Sequence, residues 1–302
     1  MMREPIGRRA FLQSAMAIAA VSRLRAQGTT SEWGGPVMDV HLHLRQNADG
    51  NLNHIDGAGV AKAVLLSNAT AAAHAKELIA AHPGRFVWFA STDVTQPDAI
   101  ERLRAALQDG AIGLGEMKSR VEAAGPEMQR VYALATERSV PVTIHFQEIS
   151  QPGSVGTYNT GLKKFDAMLK AFPRTKFFGH ADAFWANVSA DYAEDTAYPT
   201  GKIKPGGVTD RLLSDFANLY ADMSANSCNN FLSRDPEFAA GFLERHQDKL
   251  VFGSDCQCLD GHGTGAANNR CVARATLTAL KTLASPSVFR KITWENATKL
   301  LG

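Results

Sequence analysis

Short apolar runs recur along the chain, each closed by polar residues or Gly and followed by a helix-length segment. That alternation is the pattern of repeated βα units around a parallel sheet. Eight runs read as strands: 37–44, 61–68, 86–93, 111–118, 140–147, 176–182, 219–227 and 250–256. Between and after them, helices are expected over 98–109, 127–139, 162–172, 236–247 and 269–283. Parallel barrel strands are covered on both faces and should read as nearly continuous apolar runs, as Ala61-Lys62-Ala63-Val64-Leu65-Leu66 and Phe86-Val87-Trp88-Phe89-Ala90 mostly do. The pattern predicts an α/β chain folded as a (β/α)₈ TIM barrel, one domain over 34–302, and roughly 250 residues suffice for such a barrel. An open doubly wound sheet is the competitor, but no Gly-rich phosphate fingerprint follows the first strand.

The segment 1–30 departs from this pattern. Arg8 and Arg9 precede Ala10-Phe11-Leu12, and a modestly apolar stretch runs from Met16 to Val21 before Arg23 and Arg25. This resembles a twin-arginine export signal, with removal expected near 26–30, and implies a folded protein delivered to the periplasm or beyond. The stretch is far shorter than the roughly 18–20 residues of a spanning helix, so no stable membrane span is expected.

The formal charge is +2, from 32 basic and 30 acidic residues without a long run of either sign. A nucleic-acid footprint is thereby excluded, and a small-molecule partner is indicated; a homodimer stays open. The cysteines, Cys228, Cys256, Cys258 and Cys271, are too few for a disulfide scaffold, and no bridge is assigned. Cys256-Gln257-Cys258 lacks the second Cys/His pair of a structural zinc site, so no metal role is read there. His54, His74, His82 and His246 fall in segments read as loops or helices and receive no chemistry.

In a TIM barrel the chemistry sits at the C-terminal ends of the strands. The first strand ends Asp39-Val40-His41-Leu42-His43, and side-chain alternation with period two turns both histidines into the barrel mouth. The fourth strand offers Glu116, the fifth His145, the sixth His180 and the eighth Asp255. One histidine in an apolar run is ordinarily a packed core residue. Four histidines and two carboxylates in one mouth are costly to bury unpartnered, and a divalent cation satisfies them together. Imidazole and carboxylate donors suit zinc first, with iron, manganese or cobalt as alternatives.

His41-Leu42-His43, Ile144-His145, Gly179-His180, Gly253-Ser254-Asp255 and the closing Trp294-Glu295-Asn296-Ala297 resemble the amidohydrolase superfamily. The closing motif is similar to the branch that contains aminocarboxymuconate semialdehyde decarboxylase, lactone hydrolases and related lyases. By resemblance to mononuclear members, His41, His43, His145 and Asp255 bind one ion, and His180 orients or deprotonates water. By resemblance to binuclear members, Glu116 or a modified Lys118 bridges two ions, with His180 joining His145 on the second. A single tightly held ion is the expectation and two the alternative; an ordinary salt bridge is the bland role for Glu116.

The reaction expected is hydrolysis of an ester, lactone or amide-like bond, with Asp255 relaying the proton of a metal-activated water and His180 assisting at the oxyanion. The rival from the same branch is a metal-dependent decarboxylase or lyase, and a non-catalytic metal-binding barrel is the third reading. Substrate contacts are expected from Arg45, from Trp185 in a lid-like loop over 183–210, and from His262 beside Asp260 in the segment after Asp255.

Overall fold

The computed structural model describes residues 31–151 and 156–302. The export-signal reading over 1–30 lies outside the described residues. In chain order the elements are β1 (Met38–His43), α1 (Ala48–Gly57), β2 (Lys62–Asn68), α2 (Ala72–Ala81), β3 (Phe86–Ser91), α3 (Ala99–Gln108), β4 (Gly113–Met117) and α4 (Pro126–Arg138). They continue with β5 (Val142–His145), α5 (Asp166–Ala171), β6 (Phe177–His180), α6 (Asp182–Ala186), α7 (Val208–Asp215), β7 (Leu219–Asp222), α8 (Ala225–Arg234) and α9 (Pro236–Arg245). β8 (Leu250–Val251), α10 (Val272–Leu283), α11 (Pro286–Arg290) and α12 (Asn296–Leu301) close the chain.

The eight strands form one sheet in sequential order, with every neighbouring pair parallel. The seam is drawn together where the amide of Val40 donates to the Phe252 carbonyl at 2.9 Å and that of Asp255 to the His41 carbonyl at 2.8 Å. The result is a nearly closed (β/α)₈ barrel. Among the described residues no helix is long and apolar enough to cross a membrane.

The barrel interior is a packed core. Met38, Val40, Val64, Leu66, Phe89, Phe178, Val251 and Ala297 form one buried cluster, and burying each large apolar side chain contributes roughly 1.5–3 kcal/mol. Ala297 brings the last helix into that cluster. Asn296 fastens it by donating to the carbonyls of Gln247 and Leu250 at 2.7 and 2.8 Å. The closing Trp-Glu-Asn-Ala motif thus anchors the start of β8, the strand that leads to Asp255.

The strands are shorter than the apolar runs predict. The run over 250–256 contracts to Leu250–Val251 because its later backbone amides bond elsewhere. Ser254 donates to the Asp39 carboxylate, Asp255 to the His41 carbonyl and Cys256 to the Ser254 hydroxyl. The lid-like loop over 183–210 is also corrected: Asp182–Ala186 is helix α6, and α7 begins at Val208.

Candidate metal centre

Period-two alternation along β1 aligns Asp39, His41 and His43. Asp39 ties the strand end to β8, its Oδ1 accepting the amides of His41 and Ser254, each at 2.9 Å. His41 is fully buried and His43 half-exposed. His43 Nε2 lies 3.4 Å from Glu116 Oε2 and 3.4 Å from Asp255 Oδ1. On the far side of the same carboxylate, Glu116 Oε1 meets His145 Nδ1 at 2.5 Å and His180 Nε2 at 3.3 Å. Asp255 completes the ring, 3.9 Å from His41 Nε2 and 4.0 Å from His180 Nε2. The structure therefore brings His41, His43, Glu116, His145, His180 and Asp255 together at the strand ends.

The two most buried histidines are aimed by neighbours from β7 and the turn after it. Asp222 Oδ2 sits 2.6 Å from His41 Nδ1, and the Ser224 hydroxyl lies 2.7 Å from His180 Nδ1. Each partner occupies the Nδ1 side and leaves Nε2 facing the mouth, where both Nε2 atoms are buried without a hydrogen-bond partner. Such an outer partner fixes ring orientation and raises the basicity of a metal-ligating imidazole. Gly253 makes the approach of Asp222 feasible. A Cβ there would lie 2.3 Å from Asp222 Oδ1 and 2.8 Å from His41 Cβ.

The electrostatics of the mouth favour added positive charge. Burial opposes the charged form of His41, but Asp222, Asp255 and Glu116 outweigh it and raise its pKa to about 9. His43 is raised to about 10 against the same penalty by Asp255 and Glu116. Burial likewise opposes the charge of Asp255, yet His43 and His41 hold its pKa down at about 2. Glu116 is lowered well below its ordinary range, its burial outweighed by His145 and then His180 and His43. Burial and then the neighbouring charge of His41 lower His180. A mouth that retains anionic carboxylates and draws protons onto its imidazoles is a mouth that fits a cation. The orphaned Nε2 atoms and the mixed imidazole and carboxylate donors fit a divalent metal in particular.

A family model described as amidohydrolase matches residues 43–302. The chain belongs to the amidohydrolase family. The family is one of metal-dependent enzymes, and this amidohydrolase has the groups to bind a metal. Similar solved structures include a probable 2-pyrone-4,6-dicarboxylic acid hydrolase from Acinetobacter baumannii with citric acid bound, at 14% identity and a TM-score of 0.57, covering 89% of this chain and 100% of that one. The 2,6-dihydroxybenzoate decarboxylase from Rhizobium matches at 14% identity and a TM-score of 0.52, covering 88% and 98% of the two chains. The 4-oxalomesaconate hydratase from Rhodopseudomonas palustris matches at 13% identity and a TM-score of 0.52, over 88% and 95%. At these identities the likeness shows a shared fold. No curated protein matches the sequence.

The amidohydrolase site holds residues that strand-end reading passed over. Asp222 ends β7 just as His43, His145 and His180 end their strands, and that position was its available signal. Ser224 and Gly253 had none, since their roles depend on contacts with distant parts of the chain. Of the three expected substrate contacts, Arg45 lines a hollow of about 580 Å³ together with His43, His262 is on an exposed loop, and one is placed away from the mouth. Trp185 is buried among helices, stacked on Phe231 at 5.0 Å and edge-on to Phe242. The Arg45 guanidinium is taken up by backbone carbonyls, those of Gly50 and Cys258 at 2.7 Å each and that of Cys256 at 3.0 Å. His262 is exposed on a loop that folds about Asp260, whose carboxylate accepts the amides of His262, Gly263 and Thr264. Lys118, the alternative bridging residue, instead has its ammonium over the Tyr158 ring, 5.2 Å from its centroid.

Beside Asp255 opens a cleft of about 680 Å³, lined chiefly by polar groups, among them Tyr198, Asn226, Asn229, Asn230 and Arg270. A second hollow of about 340 Å³ reaches His43 and Glu116 past Asn68, Asp93 and Lys118. Cationic side chains, Arg270 and Lys118, thus stand in these two hollows.

Proposed function

We propose that this amidohydrolase hydrolyses an ester or lactone bond, or an amide-like one, in a small carboxylated molecule. The observation that supports it best is the convergence of His41, His43 and His180 on Asp255, the acid that borders the polar cleft, with Glu116 against His43 and His180. In this reading His41, His43 and Asp255 would hold one divalent ion and His145 and His180 a second, with Glu116 available to both. The carboxylate of Glu116 favours two ions over the one expected, because its two oxygens face the two groups of ligands separately. Zinc is the proposed metal. A bound divalent cation lowers the pKa of water from about 16 toward 7 and so supplies hydroxide at neutral pH.

The chain's own residues do the remainder. Asp255 is anionic at neutral pH and sits at the cleft wall, so it can take a proton from water and return it to the leaving group. His180 is held with Nε2 toward the same space by Ser224, which presents that nitrogen to the ion it would hold. Arg270 and Lys118 offer the cations that a substrate carboxylate would meet. Carboxylated compounds appear in the names of the three similar structures, whose chemistries span hydrolysis, decarboxylation and hydration.

A screen of lactones, esters and carboxylated aromatics against protein stripped by a chelator and reloaded with zinc tests the proposal. Zinc-dependent ring opening or ester cleavage is the expected result. Carbon dioxide release from carboxylated aromatics, with no action on lactones or esters, replaces it with the decarboxylase reading. Export belongs to the same proposal and rests on Arg8 and Arg9. Replacing both with Lys should retain the protein in the cytoplasm; unchanged export removes that element.

A further inference from the structure

All four cysteines are unpaired and buried, and three of them gather with a histidine at the back of the β8 loop. Cys256 Sγ lies 3.3 Å from Cys258 Sγ and 3.8 Å from Cys271 Sγ, and Cys258 Sγ lies 3.4 Å from His54 Nδ1. The four donor atoms fall within 4.8 Å of one another. A tetrahedral zinc ion with Zn–S of about 2.3 Å and Zn–N of about 2.0–2.1 Å sets its ligand atoms about 3.5–3.8 Å apart. The observed separations fall close to those edges. The sequence reading dismissed Cys256-Gln257-Cys258 for want of a second ligand pair. The fold supplies the missing two singly, Cys271 from 15 residues after Cys256 and His54 from 204 residues before Cys258.

Two further features point to a ligand here. His54 is fully buried on α1 and turns Nδ1 to Cys258, 3.4 Å from its Sγ and 3.0 Å from its carbonyl. The surroundings also suit a thiolate at Cys256. Cys271 caps the N-terminus of α10, whose first amide, that of Val272, donates to Cys256 Sγ at 3.2 Å. The Arg45 guanidinium holds the carbonyls of Cys256 and Cys258, which puts a positive charge against a set of ligands whose three thiolates and one divalent ion would carry a net charge of about −1.

We infer that His54, Cys256, Cys258 and Cys271 form a second, thiolate-rich metal site that takes zinc in a structural role. It clasps α1, the β8 loop and the start of α10 together. Because Cys256 directly follows Asp255, the clasp fixes the backbone that presents the proposed acid–base group at the mouth. All four positions around the ion are filled by protein, so the site is closed to substrate, as structural zinc sites are.

The full-length protein loaded with cobalt(II) tests this without reference to activity. Thiolate ligation produces intense sulfur-to-cobalt charge-transfer absorption in the near ultraviolet, which imidazole and carboxylate ligands at the barrel mouth cannot give. The band is expected in the wild type, and at undiminished intensity in the His41→Ala/His43→Ala double variant, where the mouth is disabled. In Cys258→Ser it should weaken. X-ray absorption of the zinc-loaded double variant should show zinc–sulfur scattering at about 2.3 Å. Cobalt binding by folded wild-type protein with no such band overturns the inference. So does a native mass two hydrogens short, the mark of a disulfide among these cysteines. Should Cys258→Ser fail to fold, the wild-type and double-variant spectra decide alone.

Discussion

His41 Nδ1 stands 2.6 Å from Asp222 Oδ2, with both side chains fully buried. An imidazole has one nitrogen to protonate and one to offer when neutral, and a carboxylate on the Nδ1 side decides which is which. Asp222 therefore directs the lone pair of Nε2 into the mouth, and Gly253 keeps the space in which it does so. Asp222→Asn preserves shape but removes the charge. Metal affinity at the mouth should fall about 10–100-fold, measured by competition with a chelator, while circular dichroism stays native. Unaltered affinity would take this role away from Asp222.

Asp255→Asn tests the proton relay. The side chain adopts a left-handed backbone, φ 47°, in which Asn is as readily accommodated as Asp, so the fold should survive. Loss of an acid–base group costs about 10²–10⁴ in kcat. The check is turnover of whichever substrate the screen identifies, at zinc levels that saturate the variant, and wild-type kcat there sinks the assignment.

Glu116→Gln separates one ion from two. The amide retains the volume and cannot hold the charge between His43 on one side and His145 and His180 on the other. Zinc content should drop by one ion per folded chain, read by elemental analysis after exhaustive dialysis. Content equal to that of the wild type would restore the single-ion arrangement.

The barrel was legible because its evidence repeats. Eight apolar runs at βα spacing name the fold, and small errors at each end do not change it. The residues that meet at the mouth were legible for a related reason: His41, Glu116, His145 and His180 each stand at or near a strand end, a place that sequence can locate. What sequence did not yield are relations between distant segments. Nothing local marks Ser224 as the partner of His180, or Cys271 and His54 as neighbours of Cys256. Arg45 has partners that spacing does not foretell. An arginine two residues beyond a ligand histidine reads as a substrate clamp, yet the closest acceptors the fold gives it are carbonyls of Gly50, Cys256 and Cys258.

Away from the mouth, Asp210 on α7 accepts from His246 at 2.6 Å and from Arg245 at 2.9 Å. Burial opposes its charge, but these two partners prevail and its pKa is lowered. A carboxylate with a depressed folded pKa stabilises the fold above its unfolded pKa of about 3.9, and that stability is lost as the pH falls through the folded value. Asp210→Asn should therefore cost about 1–3 kcal/mol at neutral pH, by denaturant unfolding. The gap from wild type should close in strong acid, where the native carboxyl is protonated too. A gap independent of pH would show that charge is not its source.

Trp185 and Tyr198 belong to the same expected lid, and the structure assigns them opposite tasks. Trp185 is 1% exposed and stacks on Phe231, whereas Tyr198 is 41% exposed and lines the cleft beside Asp255. Truncating a buried tryptophan removes its transfer free energy and leaves a cavity between helices that cannot fully collapse, a loss of about 3–5 kcal/mol. Truncating a surface tyrosine should change stability by less than about 0.5 kcal/mol. The two alanine variants should thus divide their effects. Trp185→Ala lowers the unfolding free energy while the folded fraction keeps its KM; Tyr198→Ala leaves unfolding unchanged and raises KM. Denaturant melts and initial-rate kinetics on the same preparations decide it. A raised KM in Trp185→Ala under conditions where it is fully folded would return the indole to the substrate and overturn the placement of that side chain in the core.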